Sequence, residues 1–465
     1  MPRVREALVV PFVLALVACT HHAAAPASPL ATPVATPLAK QIDSLAEDAL
    51  AHNPVAGFSI TVVSHGDVVL SRGYGVIDLE QKTPAAADSI FRIGSITKQF
   101  TAVAVLQLAA AGKLSLDDKL ARFVPDFKYA GQITLQQLLT HTSGVKDYTA
   151  LPWFEQHMGE PCTRAELVAH VAAEPLDFAP GTRWQYSNSG YYLLGLVIEK
   201  ASGQSYADYI KQHVAAKAGL ADTAYCPQLQ DYPRAARGYD VKGAKLVPAA
   251  PLDMAHPYAA GSLCSTSADL VAWMKALAHG KLVDDAAWQK MITPVTLPGG
   301  ASFPYGFGLF VSDLGGHARI GHGGGINGFV SALSYFPDDD LYIAVLVDTE
   351  SALADALADD IARAALGVKE KPLDDLPVPA DEIARVAGRY SFPDVGLVLE
   401  ILVEGDQLVA RNEHREEKRR LQLQADGSYV IPDAKAVLRF APGGAHAPSL
   451  SVTQGGVTLT GPRLP

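Results

Sequence analysis

Strand-forming sequence occurs in two blocks far apart in this chain, with a helix-forming middle between them. From Ala56 to Ile77, two alternating or β-branched runs flank the turn Ser64-His65-Gly66-Asp67, which reads as a hairpin. Short strand patterns return at Gly306 to Ser312, Ala318 to Gly321, Gly328 to Phe336 and Tyr342 to Val347. Helical periodicity borders the blocks at Gln41 to Asn53 and Ser351 to Leu366. In the middle, an apolar-rich helical stretch runs from Ser95 to Ala111 and stops at Gly112, and further helical patterns begin near Thr134, Thr163, Ser189, Ser205 and Ser265. The strands at both ends are expected to meet in one sheet. The fold class is therefore α+β: an antiparallel sheet flanked by helices, with a mostly helical lobe beside it.

The ends of the chain read differently. Arg3 and Arg5 precede an apolar run from Ala7 to Ala18 that is too short for a mature membrane span of about 20 residues. It closes in Leu16-Val17-Ala18-Cys19, which looks like a bacterial lipobox, so residues 1–18 are expected to be a lipoprotein-type signal peptide and Cys19 the lipidated N-terminus. Thr20, in place of an aspartate, resembles outer-membrane lipoproteins. The expected location is the periplasmic face of a bacterial membrane, with the N-terminal lipid as the contact. Residues 19–40 are rich in Ala, Pro and Thr and form a tether. Residues 41–366 hold the main domain, 367–380 a charged, Pro-rich linker, and 381–465 a second, all-β domain with turns at Gly405-Asp406, Asp426-Gly427 and Gly455-Gly456. The mixed-charge run Glu413 to Arg420 reads as a solvated hairpin face.

With 38 Lys and Arg against 49 Asp and Glu, the formal charge is -11, and no basic block tracks a phosphate backbone, so nucleic acid is not an expected partner. Export leaves Cys162, Cys226 and Cys264 in an oxidising space, which permits one intramolecular disulfide. Cys162 and Cys226 lie in Pro-flanked irregular segments and are the expected pair. Cys264, in Ala-Gly-Ser-Leu-Cys-Ser before an apolar helical pattern, is expected buried and reduced.

Ser95-Ile96-Thr97-Lys98 sets a hydroxyl and an amine three residues apart, on one helix face. A chain this long should hold about one such spacing by chance, and a second stands at Ser143-Gly144-Val145-Lys146. Gly144 interrupts that one, whereas Ser95 follows Gly94 and opens an uninterrupted helical pattern. Unpaired N–H groups at such a helix start suit an anionic tetrahedral intermediate. A serine hydroxyl needs a base, and a lysine serves only when desolvated or placed near other cations. Gly-x-Ser-x-Gly is absent around Ser95, which disfavours a nucleophile elbow.

With Tyr186-Ser187-Asn188 and His322-Gly323-Gly324 following in order, the chain resembles the serine β-lactamase and penicillin-binding superfamily, of class C type, over about Gln41 to Leu366. Phe91-Arg92-Ile93-Gly94, Leu138-Leu139-Thr140-His141-Thr142-Ser143-Gly144, Pro180-Gly181 and Ala260-Gly261-Ser262 carry the likeness too. The resemblance implies an acyl-enzyme on Ser95, with Lys98 as base and Tyr186 moving protons. It implies that Asn188 binds the substrate amide and that Gly325 N–H joins that of Ser95 in an oxyanion hole. His322 stands for the family's lysine, as in its peptidases and esterases, and Gly323 for its threonine, so His322, Gly323, Gly324 and Gly325 form the substrate-binding strand. His141 reads as structural support. The remaining histidines and cysteines lack metal-ligand spacing, so neither a metal nor a cofactor is expected.

The expected substrate is a small molecule or peptide, cell-wall peptides included. A D-amino-acid peptidase or carboxypeptidase, an esterase, a class C-like β-lactamase and a non-enzymatic sensor acylated once by penicillin all remain open. The C-terminal domain, opening on Ala387-Gly388-Arg389-Tyr390, resembles small lipocalin-like barrels.

Overall fold

The computed structural model describes residues 36–465, apart from 228, 230, 231, 233, 244, 370, 371, 396, 414–417, 433, 435, 455 and 456. The signal peptide, Cys19 and most of the tether lie outside the described residues. Chain order begins with α1 (Pro37–His52), capped by the Thr36 hydroxyl accepting from Ala39 N–H at 3.0 Å.

One antiparallel sheet gathers both strand blocks. Its strands are β1 (Gly57–Ser64), β2 (Asp67–Asp78), β3 (Thr83–Pro84), β4 (Phe310–Leu314), β5 (His317–Ile326), β6 (Phe329–Phe336) and β7 (Leu341–Val347), in the order β4-β5-β6-β7-β1-β2-β3. The β1 to β7 register runs from Phe58↔Val347 to Ser64↔Leu341 and closes the sheet across the whole helical middle. The late strands differ from the expected bounds. Gly315 and Gly316, at φ 63° and 94°, make the turn between β4 and β5, and β5 then runs on to Ile326. His322 to Gly325 therefore lie inside a strand, as the family resemblance implied, although the alternation pattern alone ends at Gly321.

Period-two alternation splits the sheet between two cores. Phe58, Ile60, Val62, Ile343, Val345 and Val347 face α1 and α5 (Leu353–Leu366). Leu333, Tyr342, Ala344 and Leu346 face the helical lobe. All seven residues of β7 are buried, as a strand covered on both faces requires. At the centre of the lobe lies α2 (Thr97–Ala110), beside α3 (Asn188–Ser202) and α4 (Ser267–Ala278). A helix apolar all round is stable only when surrounded, and α2 is buried on nearly every side. Two of its buried polar side chains find partners in the lobe: Thr101 Oγ1 donates to Ala259 O at 2.7 Å and Gln99 Oε1 accepts from Trp273 Nε1 at 2.7 Å, while Gln99 Nε2 has no acceptor among the described residues.

The disulfide joins Cys226 to Cys264 and leaves Cys162 free, which corrects the expected pairing. The cause is a short sheet: Leu263–Ser265 pairs with Ala224–Tyr225, Ala224 stands opposite Cys264, and the two cysteine Cα atoms come within 6.0 Å. Cys264 is buried and precedes α4 as expected, but it sits in a strand and is bonded, not a thiol.

Beyond α5, which ends on left-handed Gly367, a short helix, Ala380–Val386, leads into a four-stranded sheet (Gly388–Phe392, Leu397–Glu404, Gln407–Asn412, Lys418–Arg420). A five-stranded sheet follows (Gln422–Leu423, Tyr429–Ile431, Ala436–Phe440, Ser449–Gln454, Val457–Pro462). Tyr390, Leu408, Tyr429, Leu438 and Leu450 form a separate core there.

Candidate active site

Ser95 does not open the long helix itself. It sits in a single 3-10 turn, Gly94–Ile96, that feeds into α2. Strand β5 presses against this turn. A Cβ on Gly94, whose φ is +48°, would lie 2.9 Å from Gly325 N and O, and one on Gly324 would lie 2.1 Å from Ile93 O. Ser331 Oγ holds the same carbonyl at 3.0 Å. Glycine is required on both sides of the contact because any side chain would part the turn from the strand. The contact sets the Gly325 amide beside Gly94, so the two expected oxyanion donors lie on neighbouring segments.

One turn into the helix, Lys98 Nζ lies 3.0 Å from Ser95 Oγ, 2.8 Å from Asn188 Oδ1 and 2.9 Å from Ala260 O. The two carbonyl oxygens can only accept, so they take the two N–H bonds of a neutral amine and leave its lone pair for the serine proton. Burial pulls the Lys98 pKa down to about 7, against a smaller upward pull from Asp147. Asn188, at the first turn of α3, is fixed in turn: Asp147 Oδ2 accepts from its backbone N at 3.2 Å and its Nδ2 at 3.1 Å. Its side chain thus orients Lys98 in this structure. Asp147 escaped the sequence reading because nothing in its local pattern marks it; only the fold brings it to the start of α3.

Tyr186 lines the same cavity as Ser95, and its ring lies 4.7 Å from Lys98 Nζ. Burial raises its pKa and keeps the phenol protonated. On the opposite wall, His322 Nδ1 donates to Gly323 O, which leaves Nε2 to accept from Tyr305 OH at 3.3 Å. Burial, with Lys98 nearby, lowers the His322 pKa to about 3, so the ring is neutral. His141 is a buried support, as expected: Nδ1 accepts from Ser187 N–H at 3.1 Å and its ring packs 4.3 Å from that of Tyr186. The competing pair does not form a dyad, since Ser143 Oγ accepts from Val145 N–H while Lys146 bonds Asp177 at 2.8 Å.

The cavity at Ser95 has a volume of about 580 Å³ and is also lined by Tyr186, His322, Gly323, Arg319, Asp355 and Asp359. A Cβ on Gly323 would stand 3.3 Å from Asp355 Oδ1. A carboxylate therefore lies beside the position where the resembled family carries threonine. Asp359 is bound by Arg319 at 2.6 Å. The sequence reading missed this acidic wall because it comes from α5, more than thirty residues beyond the motif.

A serine paired with a buried lysine, a protonated tyrosine and backbone donors at a glycine-lined strand define a serine hydrolase. The Beta-lactamase family model matches residues 42–367, and the chain belongs to that family. It is 28% identical over 375 residues to Penicillin-binding protein 4* of Bacillus subtilis (strain 168), covering 75% of this chain and 82% of that one. It is 28% identical over 355 residues to a D-aminopeptidase of Brucella canis, covering 74% of this chain and 65% of the relative. Among solved structures, the octameric penicillin-binding protein homologue from Pyrococcus abyssi superposes with TM-score 0.65 at 27% identity, covering 90% of this chain and 99% of that one. The D-amino acid amidase from Ochrobactrum anthropi SV3 superposes with TM-score 0.64 at 26% identity, covering 72% and 100%.

Proposed function

We propose that this protein is an exported hydrolase of small amides bearing a free ammonium group, of the D-amino-acid peptidase or amidase type. The observation that carries the chemistry is the buried Lys98 amine, clamped by two carbonyl acceptors and turned to Ser95. Lys98 takes the serine proton as Oγ attacks the carbonyl, a step worth about 10²- to 10⁴-fold. The oxyanion forms against the N–H groups of Ser95 and Gly325, each contributing roughly 2.7 to 4 kcal/mol. The C–N bond breaks, the amine leaves with the proton returned through Tyr186 or Lys98, and water repeats the sequence to free Ser95. Asn188 and the strand His322 to Gly325 hold the substrate.

Charge favours an ammonium over a carboxylate. Neutral His322 offers no cation, Gly323 offers no hydroxyl, and the cavity's charged lining holds two carboxylates, Asp355 and Asp359, to one guanidinium, Arg319. The names of the Brucella and Ochrobactrum relatives support D-stereochemistry. The test compares D-phenylalanine amide with its N-acetyl derivative, before and after Asp355→Asn. Wild type should prefer the free amine, and the substitution should cut that preference about tenfold or more while sparing the N-acetyl amide. Equal specificity constants for both substrates in wild type would sink the reading.

β-Lactams should acylate Ser95 and leave slowly, because their carboxylate meets the same wall. Lipidation at Cys19 and residence on the periplasmic face of the membrane belong to this proposal.

A further inference from the structure

Between the two C-terminal sheets lies a cavity of about 380 Å³ that the proposed chemistry does not use. Leu399, Ile431, Leu438, Val452 and Leu459 make much of its wall. An apolar space left unfilled forfeits the dispersion contacts of a packed core, and such spaces accept apolar guests. Two features indicate the guest. Trp184 and Phe303 of the main domain complete the wall, with rings stacked at 5.3 Å and 9°. Trp184 precedes Tyr186 by two residues, and Phe303 precedes Tyr305 by two, so the segments lining this cavity are the segments that carry the catalytic cleft. Gln454, held by donation from Nε2 to Ala434 O at 2.8 Å, lines both cavities, which therefore adjoin. The buried indole N–H of Trp184 has no acceptor among the described residues, which leaves a donor for an oxygen of the guest.

We propose that the C-terminal cavity is a subsite for an extended aliphatic or aromatic group of the substrate itself, reached from Ser95 past Gln454. The inference rests on the hydrolytic reading of Ser95, and its test separates the two.

Two ester series are compared: p-nitrophenyl acylates from acetyl to octanoyl, and D-phenylalanine alkyl esters from methyl to octyl. In at least one series, kcat/KM should rise about fourfold per methylene that enters the cavity, then level off. Ala436 stands opposite Gln454 in the strand register and Ala410 lines the other sheet, so Ala436→Phe and Ala410→Phe fill the space from different walls. Each should abolish the rise and leave the shortest ester unchanged. Two flat series, or a rise that survives both substitutions, would overturn the subsite. Calorimetric titration of Ser95→Ala with decanamide decides the matter if a filled variant fails to fold: saturable binding supports the subsite, and none overturns it. Should acetyl ester turnover survive Ser95→Ala, the hydrolytic reading falls while the decanamide titration still judges the cavity.

Discussion

At the scale of single residues, the site works by withholding water from an amine. Lys98 is fully buried, yet three oxygens surround its nitrogen, so a neutral base and its protonated successor are both accommodated. Because burial sets the Lys98 pKa at about 7, kcat/KM for an ester without ionisable groups should climb with pH up to about 7 and then level, as the amine loses its proton. His322 contributes no limb near neutrality, since its ring is held neutral down to about pH 3. A profile flat from pH 5 to 9 would contradict this. The same burial weakens the fold. Lys98 in the unfolded chain takes up its proton near 10.5 and the folded one only near 7, so stability falls as pH drops through that window, and Lys98→Met should flatten the slope in urea titrations. Ser95→Ala should abolish labelling by a fluorophosphonate, whereas Ser143→Ala should leave it intact, because Ser143 is buried and Lys146 is engaged by Asp177.

Elements matter here through two close approaches. Strand β5 can reach the Ser95 turn only because Gly94 and Gly324 lack side chains. Gly94→Ala would meet the Gly325 backbone and force a left-handed alanine, at about 1 to 2 kcal/mol of backbone strain. It should lower kcat about 10²-fold or more by spreading the oxyanion donors, while circular dichroism stays native. The second approach runs through the disulfide. Leu263–Ser265 pairs with Ala224–Tyr225 on one side and with Phe91–Arg92 on the other, and Leu263 O accepts from Ile93 N–H at 3.0 Å, two residues before Ser95. Cys226–Cys264 thus braces the strand that leads into the nucleophile. Non-reducing peptide mapping should find these two joined and Cys162 free. Cys226→Ala with Cys264→Ala should cost about 2 to 5 kcal/mol of stability.

For the molecule as a whole, two cores share one sheet and a third belongs to the C-terminal strands. The catalytic cleft opens where the sheet edge meets the helical lobe, and Gln454 brings the C-terminal half to its rim. An ammonium held near Asp355 and an apolar group held between the C-terminal sheets would together select an amide that is charged at one end and greasy at the other. The expected lipid at Cys19 adds a test at this scale: the full chain should partition with membranes, Cys19→Ser should release it, and an unmodified N-terminus by mass spectrometry would refute lipidation.

Periodicity and motif order by themselves determined the individual strands, the central helix and the Ser95–Lys98 pair, because each depends on residues a few positions apart. The continuous apolar run of β7 and the uninterrupted helical pattern after Ser95 leave little choice of structure. The choice between the two Ser-x-x-Lys sequences was also local, decided by Gly144. Only the tertiary structure decided what reaches those residues from elsewhere: Asp147 behind Asn188, the Ala260 carbonyl on Lys98, Asp355 beside Gly323, and Cys264 opposite Cys226. Each of these contacts joins segments whose separation leaves no periodic trace, and their positions follow from side-chain packing across the sheet and lobe. Local patterns specify elements; the pKa of Lys98 and the charge of the cleft depend on which elements the packed cores bring together.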